Sequence, residues 1–408
     1  MKFKNLLLAA LPIIAITFTS CSDDDASPEV FDYTTPDTYS FERETTSTVD
    51  FSASTSRLLM LDQMGKYIST QATASAIVDD NRLSAMFSNT GAETFFTGAA
   101  LATGIQLKDK TAGSKDYFVT YLGGGTLAEQ TAVRALFETQ FDNAKLASLG
   151  TVAAPGVAGK YSTNRLFAAN GLEPGQVLAK GMMGACLMDQ IVNNYLSKSI
   201  LDQGSNKADN TNGVLVSGKS YTAMEHAWDE AYGLIYGADV AATGSTAASY
   251  KFWSSYINQV NADVDFNTLR ADIDLAFRTG RAAIVAHDYA ERDNQAKIIK
   301  EKLAIVPAVR AVFYMNEGKS KLTTDGGAAA FHGFSEGYGF IMSLRYTNKP
   351  GTNTPYFTKA EVDAMLASLI SGPNGLWDID HVGAKSDAIA LQIATRFGFT
   401  VEQAILVN

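Results

Sequence analysis

Two ten-residue segments of this chain, 226–235 and 332–341, follow the same pattern. His, Glu, Tyr, Gly and Ile stand at the same offsets in both segments, and Trp or Phe stands at the third position. The two segments also hold two of the four histidines in a chain of 408 residues. We interpret this coincidence as an internal duplication that kept one set of polar residues, which predicts two similar units.

The shared residues divide between two faces if each segment is an α-helix, because successive residues advance by about 100° around the axis. One face carries the His, the Glu and the Gly, which are His226, Glu230 and Gly233 in the first segment and His332, Glu336 and Gly339 in the second. The opposite face carries large apolar side chains that would anchor each helix in a core: Trp228, Tyr232 and Ile235, then Phe334, Tyr338 and Ile341.

The second segment constrains the environment of its carboxylate. Glu336 is the only formally charged residue between Ala328 and Leu344. A helix that is apolar on all sides is normally buried. A carboxylate there must be ion-paired, metal-bound or protonated, because an unpaired buried charge is costly.

Three hypotheses account for the repeated pair. A His and a Glu at positions i and i+4 of a helix can both ligate a metal, so His226, Glu230, His332 and Glu336 are the predicted ligands of iron or another divalent metal. The same groups could act as an acid and a base in a cleft. Alternatively, each pair is a hydrogen bond that fixes helix packing. Further candidate ligands are Asp229, Tyr232, Tyr338 and His287.

No catalytic residue is predicted, and an enzyme is the less favoured class. The sequence contains no nucleophile elbow, no Cys/His pair and no two-histidine zinc-protease motif.

Apolar residues recur at three- and four-residue steps along most of the chain, which predicts an all-α fold. The pattern covers 57–68, 132–149, 176–201, 269–303, 328–346 and 360–370. Capping boxes at Thr222–Glu225 and Thr358–Glu361 predict two helix starts. The best strand candidate is 117–122. We expect two similar helical bundles, 51–215 and 216–408, with motif helices near 222–237 and 328–346.

The N-terminus resembles a lipoprotein export signal. Two lysines and an apolar run precede Cys21, which predicts a signal peptide over residues 1–20 and lipid on Cys21. Ser22 and three aspartates follow, as in lipoproteins that are exported to the cell surface. Residues 21–50 are predicted to be a flexible acidic tether. The expected location is the outer membrane, anchored by the lipid and facing outward.

The net charge and the cysteine content limit the partners and the disulfides that the chain can have. The formal net charge of −10 makes nucleic acid an unfavourable partner. If Cys21 carries lipid, Cys186 has no disulfide partner, and its apolar surroundings predict a buried small side chain.

The motif segments resemble the imelysin-like proteins, whose signature is Gly-x-His-x-x-Glu. Residues 224–229 carry Met in place of the Gly and Asp in place of the Glu, and the Glu follows at Glu230. Residues 224–233 and 332–340 are also similar to two segments of an uncharacterised branch of surface lipoproteins. The resemblance implies two related helical domains, export and an association with iron uptake, in which an outer-membrane transport protein would be the partner.

These features together predict an outer-membrane surface lipoprotein that binds a metal or a metal-containing ligand in iron acquisition. The alternative is a non-catalytic surface adaptor for a partner membrane protein, in which the His/Glu pairs are purely structural. A metallohydrolase is the third hypothesis.

Overall fold

Helices make up nearly all regular structure in the computed structural model, which describes residues 31–90, 95–101, 104–123, 127–150, 152–161, 165–239, 252–324 and 327–406. The α-helices are α1 (Ser52–Thr73), α2 (Asp80–Ser88), α3 (Leu127–Ser148), α4 (Pro174–Met182), α5 (Lys198–Leu201), α6 (Asn206–Thr211), α7 (Ala223–Tyr236), α8 (Phe252–Asn261), α9 (Leu269–Val285), α10 (Tyr289–Ser320), α11 (Ala328–Ser343), α12 (Lys359–Leu369), α13 (Ile379–Phe397) and α14 (Val401–Ile405). The fold is all-α, as the periodicity predicts.

The starts of two helices are where the sequence predicts them. Thr222 accepts a hydrogen bond from the backbone of Glu225 at the start of α7, and Thr358 does the same with Glu361 at α12. In both, the Glu side chain accepts a bond from the capping residue in return, so the predicted capping boxes are confirmed. The second motif helix also forms, as α11 followed by one 3₁₀ turn over Leu344–Tyr346.

The packing centres on α10, which lies against α9, α11 and α13. The two motif helices have separate partners, since α7 packs on α1 and α11 packs on α4. Buried apolar residues from both halves of the chain nevertheless form one continuous cluster, from Leu58 in α1 to Ala404 in α14. Cys186 is fully buried within it, as predicted, and burial raises the pKa of its thiol to about 12.

The strand prediction for residues 117–122 is wrong. A π-helix spans Lys115–Tyr121 instead. Tyr117 and Phe118 are both buried and Val119 and Thr120 are both exposed. A half-buried strand would alternate buried and exposed residues, and this segment does not.

Two short antiparallel hairpins are present that the sequence analysis did not predict. One pairs β1 (Glu42–Arg43) with β2 (Thr46–Ser47), and the other pairs β3 (Gly159–Tyr161) with β4 (Arg165–Phe167). Strands of two or three residues are too short to produce a readable alternation.

Two long periodic runs are not single α-helices. The run 269–303 forms two helices, α9 and α10. Asp288 caps the second helix, because its side chain accepts a hydrogen bond from the backbone N–H of Glu291. His287, inside this periodic run, therefore lies in the link between the two helices, with a left-handed φ of 64°. The run 176–201 contains π-helical turns at Met183–Met188 and Ile191–Tyr195 between α4 and α5.

The end of the predicted tether is structured. Phe41 and Thr48 are buried, and the ring of Tyr39 stacks on that of Tyr232 in α7 at 3.7 Å between centroids. Residues 33–50 therefore pack on the helical body, contrary to the expectation of a flexible segment.

The predicted signal peptide, Cys21 and the acidic run 22–25 lie outside the described residues. Within the described ranges, no helix is both long and apolar enough to cross a membrane.

Candidate functional site: the two His–Glu pairs

The apolar face of the first motif helix anchors it as predicted. Trp228 is fully buried, and its indole N–H donates a hydrogen bond to the carbonyl of Phe277 in α9 at 3.0 Å. Tyr232 and Ile235 are also buried. This packing directs the opposite face of α7, with its His and Glu, towards α1.

His226 is held by the chain that leads into α1. Its Nδ1 lies 3.0 Å from the backbone carbonyl of Asp50. Its ring stacks on Tyr221, with 4.5 Å between centroids. The second ring nitrogen, Nε2, lies 3.9 Å from Oε1 of Glu230, which is longer than a hydrogen bond.

Glu230 uses only one of its two oxygens. Oε2 accepts a hydrogen bond from the Ser54 hydroxyl at 2.7 Å and lies 4.0 Å from the Arg57 guanidinium. Oε1 is buried and has no hydrogen-bond partner among the described residues. A buried acceptor without a donor is costly, so this oxygen, facing Nε2 of His226, is a position for a water molecule or a cation.

The second pair has a related geometry. His332 Nδ1 lies 2.7 Å from the carboxylate of Glu173, and its Nε2 lies 4.0 Å from Oε1 of Glu336. Here a base occupies the equivalent position, because Lys180 Nζ lies 3.2 Å from the same oxygen of Glu336. Burial favours a raised pKa for Glu336, but the charges of Lys180 and His332 outweigh it and hold the pKa below its ordinary value.

The partner segments of the two pairs match in several positions. Asp50 and Glu173 each precede the helix on which the motif helix packs, and each contacts the motif His. Their backbone N–H groups also donate to the motif residue three positions after that His, which is Asp229 in one case and Ser335 in the other. Neither partner is predicted from the sequence.

Each partner segment has a basic residue at the same sequence separation from its acidic residue. Arg57 stands seven residues after Asp50 and faces Glu230, and Lys180 stands seven residues after Glu173 and faces Glu336. In both segments the acid stands before the first helical residue and the base lies within the helix. That spacing is the signal that could have identified the partner segments from the sequence.

The motif glycines serve close helix packing. A Cβ at Gly339 would lie 2.8 Å from the backbone nitrogen of Gly181 in α4, and one at Gly233 would lie 2.9 Å from Cβ of Ser54 in α1. Such distances are not tolerated, so both positions require glycine for the approach of two helices. This explains the Gly in the repeated pattern without a ligand.

The additional candidates lie apart from the His–Glu gaps. Asp229 is fully buried and bonds to Arg281 and Tyr39, and Tyr232 stacks on Tyr39. Tyr338 is half-buried, and burial, followed by the charge of Asp363, raises the pKa of its phenol to about 12. His287 packs near Tyr289, at 6.4 Å between ring centroids.

A cavity of about 340 Å³ borders the second pair. Glu173 and Lys180, which contact His332 and Glu336, line it together with Asp62 and Lys66 of α1. Both carboxylates are matched by a nearby base, since Lys66 Nζ lies 2.6 Å from Asp62 and Arg165 lies 3.1 Å from Glu173.

The donor set fits a metal poorly. In the part of the chain that the structure describes, no group of three or more His, Cys, Asp or Glu side chains could hold a metal ion. Each pair offers two donors, and a base lies beside each carboxylate. Structural metal sites in proteins use about four ligands, and a neighbouring cation opposes metal binding.

A family model described as "Domain of unknown function (DUF4856)" matches residues 36–400. The chain belongs to this family. The match includes α1, α4, α7 and α11, so both His–Glu pairs and their partner segments are part of the DUF4856 domain. No curated protein and no solved structure matches the chain.

Within this DUF4856 domain, the arrangement can do two things chemically. Each His joins its motif helix to the segment that begins the partner helix, which fixes the position of one helix on the other. In the first pair, the Nε2···Oε1 gap of 3.9 Å can also accept a small bridging species, such as a water molecule or a cation.

Proposed function

We propose that the protein is a non-catalytic surface lipoprotein that works as an adaptor for a partner membrane protein, with the two His–Glu pairs holding its helices together. The main support for a structural role of the pairs is the contact that Nδ1 of each His makes. Both histidines direct this atom to a residue that precedes the partner helix: the backbone carbonyl of Asp50 at 3.0 Å and the carboxylate of Glu173 at 2.7 Å. Each Nδ1 is therefore engaged by another segment of the chain and joins the motif helix to it.

The charges around each Glu support the same role. Arg57 and Lys180 belong to the partner helices and face the motif carboxylates. Removing one member of a buried charge pair costs about 3–5 kcal/mol, because the remaining charge is left uncompensated. The pairs would therefore contribute to the stability of the α1–α7 and α4–α11 packing.

We also propose that the two motif helices arose by duplication, as did their partner segments. The support is the matching set of contacts: a residue before the partner helix that contacts the motif His, a base seven residues later, and a glycine where the helices approach. Under this proposal the imelysin resemblance reflects a shared helical architecture.

Metal binding in iron acquisition is the second candidate. Its specific support is Oε1 of Glu230, which is buried without a partner and faces Nε2 of His226. A cation there would be held by two protein donors, with water completing its coordination. The third hypothesis, a metallohydrolase, would require a more complete ligand set than these pairs supply.

One experiment separates the adaptor from the metal binder. The His226→Ala/His332→Ala double variant and the wild-type chain are titrated with Fe(II), Zn(II) and haem, and their metal content and urea unfolding are measured. His381→Ala is the matched control, since His381 lies at the start of α13 and bonds to Ser371.

The adaptor proposal predicts no binding to either chain and a lower free energy of unfolding for the double variant alone. Binding to the wild-type and His381→Ala chains that disappears in a folded double variant would establish the metal site and overturn the structural role.

The proposed lipid anchor and location at the cell surface need a separate test. Lipid labelling should depend on Cys21 and not on Cys186, so Cys21→Ala should lose the label and Cys186→Ala should keep it. Protease treatment of whole cells should cleave the wild-type protein if it faces outward. Labelling of the Cys21→Ala chain would refute the lipoprotein assignment.

A further inference from the structure

A second, larger cavity lies away from the His–Glu pairs. It measures about 550 Å³ and opens between the π-helix Lys115–Tyr121, the start of α5, the N-terminal half of α10 and the loop 348–353. None of the motif residues or their partner segments lines it. Its volume is within the range of sites that take small organic molecules.

The lining is rich in lysine, although the chain as a whole is acidic. Four lysines contribute to the wall: Lys198, Lys297, Lys300 and Lys349. Three carboxylates also line the cavity: Asp116, Asp293 and Glu301. An excess of bases in a concave site raises the local concentration of anions.

The carboxylates already have partners. Asp293 lies 2.6 Å from Lys198 and 2.6 Å from Arg292. Asp116 accepts a hydrogen bond from the Ser199 hydroxyl. Glu301 lies 3.7 Å from Lys297. Asp293 and Glu301 are therefore ion-paired with bases other than Lys300.

Lys300 differs from the other bases. It is half-buried, and its ammonium makes no hydrogen bond or ion pair with any described residue. Burial lowers the pKa of Lys300 to about 8, against the opposing charges of Asp116 and Asp293. Its ammonium lines the cavity, so its N–H donors can bind an anion that enters there.

The rest of the wall supplies neutral hydrogen-bonding groups. Hydroxyls come from Thr120, Ser199 and Thr352, and Asn353 adds an amide. Such groups suit the hydroxyls of a polar ligand. We propose that this cavity binds a small hydroxylated organic anion, of about the size of a sugar phosphate or a sugar acid, with its anionic group at Lys300.

The test is calorimetric titration of the full chain with three probes of similar size. Glucose 6-phosphate and glucuronate carry the two candidate anionic groups, and glucose is the neutral control. We expect at least one of the two anions to bind, no binding of glucose, and a lower affinity at higher salt.

Two variants locate the site. Lys300→Met keeps the apolar stem and removes the ammonium, and it should weaken anion binding at least tenfold. Lys319→Gln is the matched control, because Lys319 is an exposed base on the same helix that pairs with Asp387 outside the cavity. It should leave the affinity unchanged.

Lys349→Gln provides a second test at the loop, where the expected loss of affinity is severalfold. Thermal unfolding of each variant separates loss of binding from loss of fold. The proposal is overturned if neither anion binds the wild-type chain, if glucose binds as tightly as the anions, or if Lys300→Met and Lys349→Gln both retain the wild-type affinity.

Discussion

Arg281 in α9 places its Nε 3.0 Å from Oδ1 of Asp229 in α7, and both side chains are fully buried. The same guanidinium donates to Glu225 and to the Thr48 hydroxyl, at 3.0 Å each. It therefore joins the first motif helix, α9 and the N-terminal hairpin segment. An arginine suits this position because its five N–H donors can serve several acceptors at fixed angles.

Replacing Arg281 by Met should reduce the free energy of unfolding by about 3–5 kcal/mol, because Asp229 would be left buried without its counter-charge. Urea unfolding followed by circular dichroism measures the loss. Arg278→Met is the control on the same helix, since its partner Asp274 is exposed, and it should cost no more than about 1 kcal/mol. Equal losses in the two variants would contradict a special role for the buried pair.

Two glycines of α11, Gly339 and Gly333, should respond differently to replacement by alanine. Gly339→Ala should destabilise the protein by about 1–3 kcal/mol, because its Cβ would enter the backbone of α4 near Gly181. Gly333→Ala should change stability by less than about 1 kcal/mol, since its nearest neighbours are 3.4 Å away and alanine favours the helix. Thermal unfolding of the two variants provides the comparison. A tolerated Gly339→Ala would show that α4 and α11 can separate without cost.

Glu336 predicts a pH dependence. Its pKa in the folded chain lies below the ordinary value of 4.5, so its charge stabilises the fold fully above that value. The contribution is lost as the pH falls through the folded pKa. Glu336→Gln should cost about 1.5–3 kcal/mol at pH 7, and the difference from the wild-type chain should shrink below pH 4.5.

Urea unfolding at several pH values measures this difference. Glu402→Gln, at an exposed position in α14, is the control and should match the wild-type chain throughout. A loss in Glu336→Gln that stays constant down to the lowest pH would mean that the effect comes from packing and not from charge.

Tyr39 tests whether the segment before α1 contributes to the fold. Its ring stacks on Tyr232, and its hydroxyl donates to Asp229 at 2.6 Å. Tyr39→Ala should cost about 2 kcal/mol, because the side chain is only half-buried. Tyr39→Phe keeps the stack and removes the hydrogen bond, so it should cost about 1 kcal/mol. Hydrogen exchange of residues 33–50 should increase in the Ala variant, and wild-type exchange there as fast as in an unfolded chain would refute the packing.

The sequence by itself determined the features that depend on neighbouring residues. The all-α class, both motif helices and the two capping boxes were predicted because a helix is defined by contacts three and four residues apart. The division of α7 into an anchoring face and a polar face follows from the same geometry. Cys186 was predicted to be buried because its immediate neighbours are apolar.

Only the tertiary structure determined which segment packs against the polar face of each motif helix. The partners of His226 and His332 are Asp50 and Glu173, which are more than 150 residues away in the chain. Periodicity specifies which face of a helix is buried and carries no information about which segment covers it. The hairpins and the π-helix at Lys115–Tyr121 also depend on distant packing, which overrides weak local preferences over so few residues.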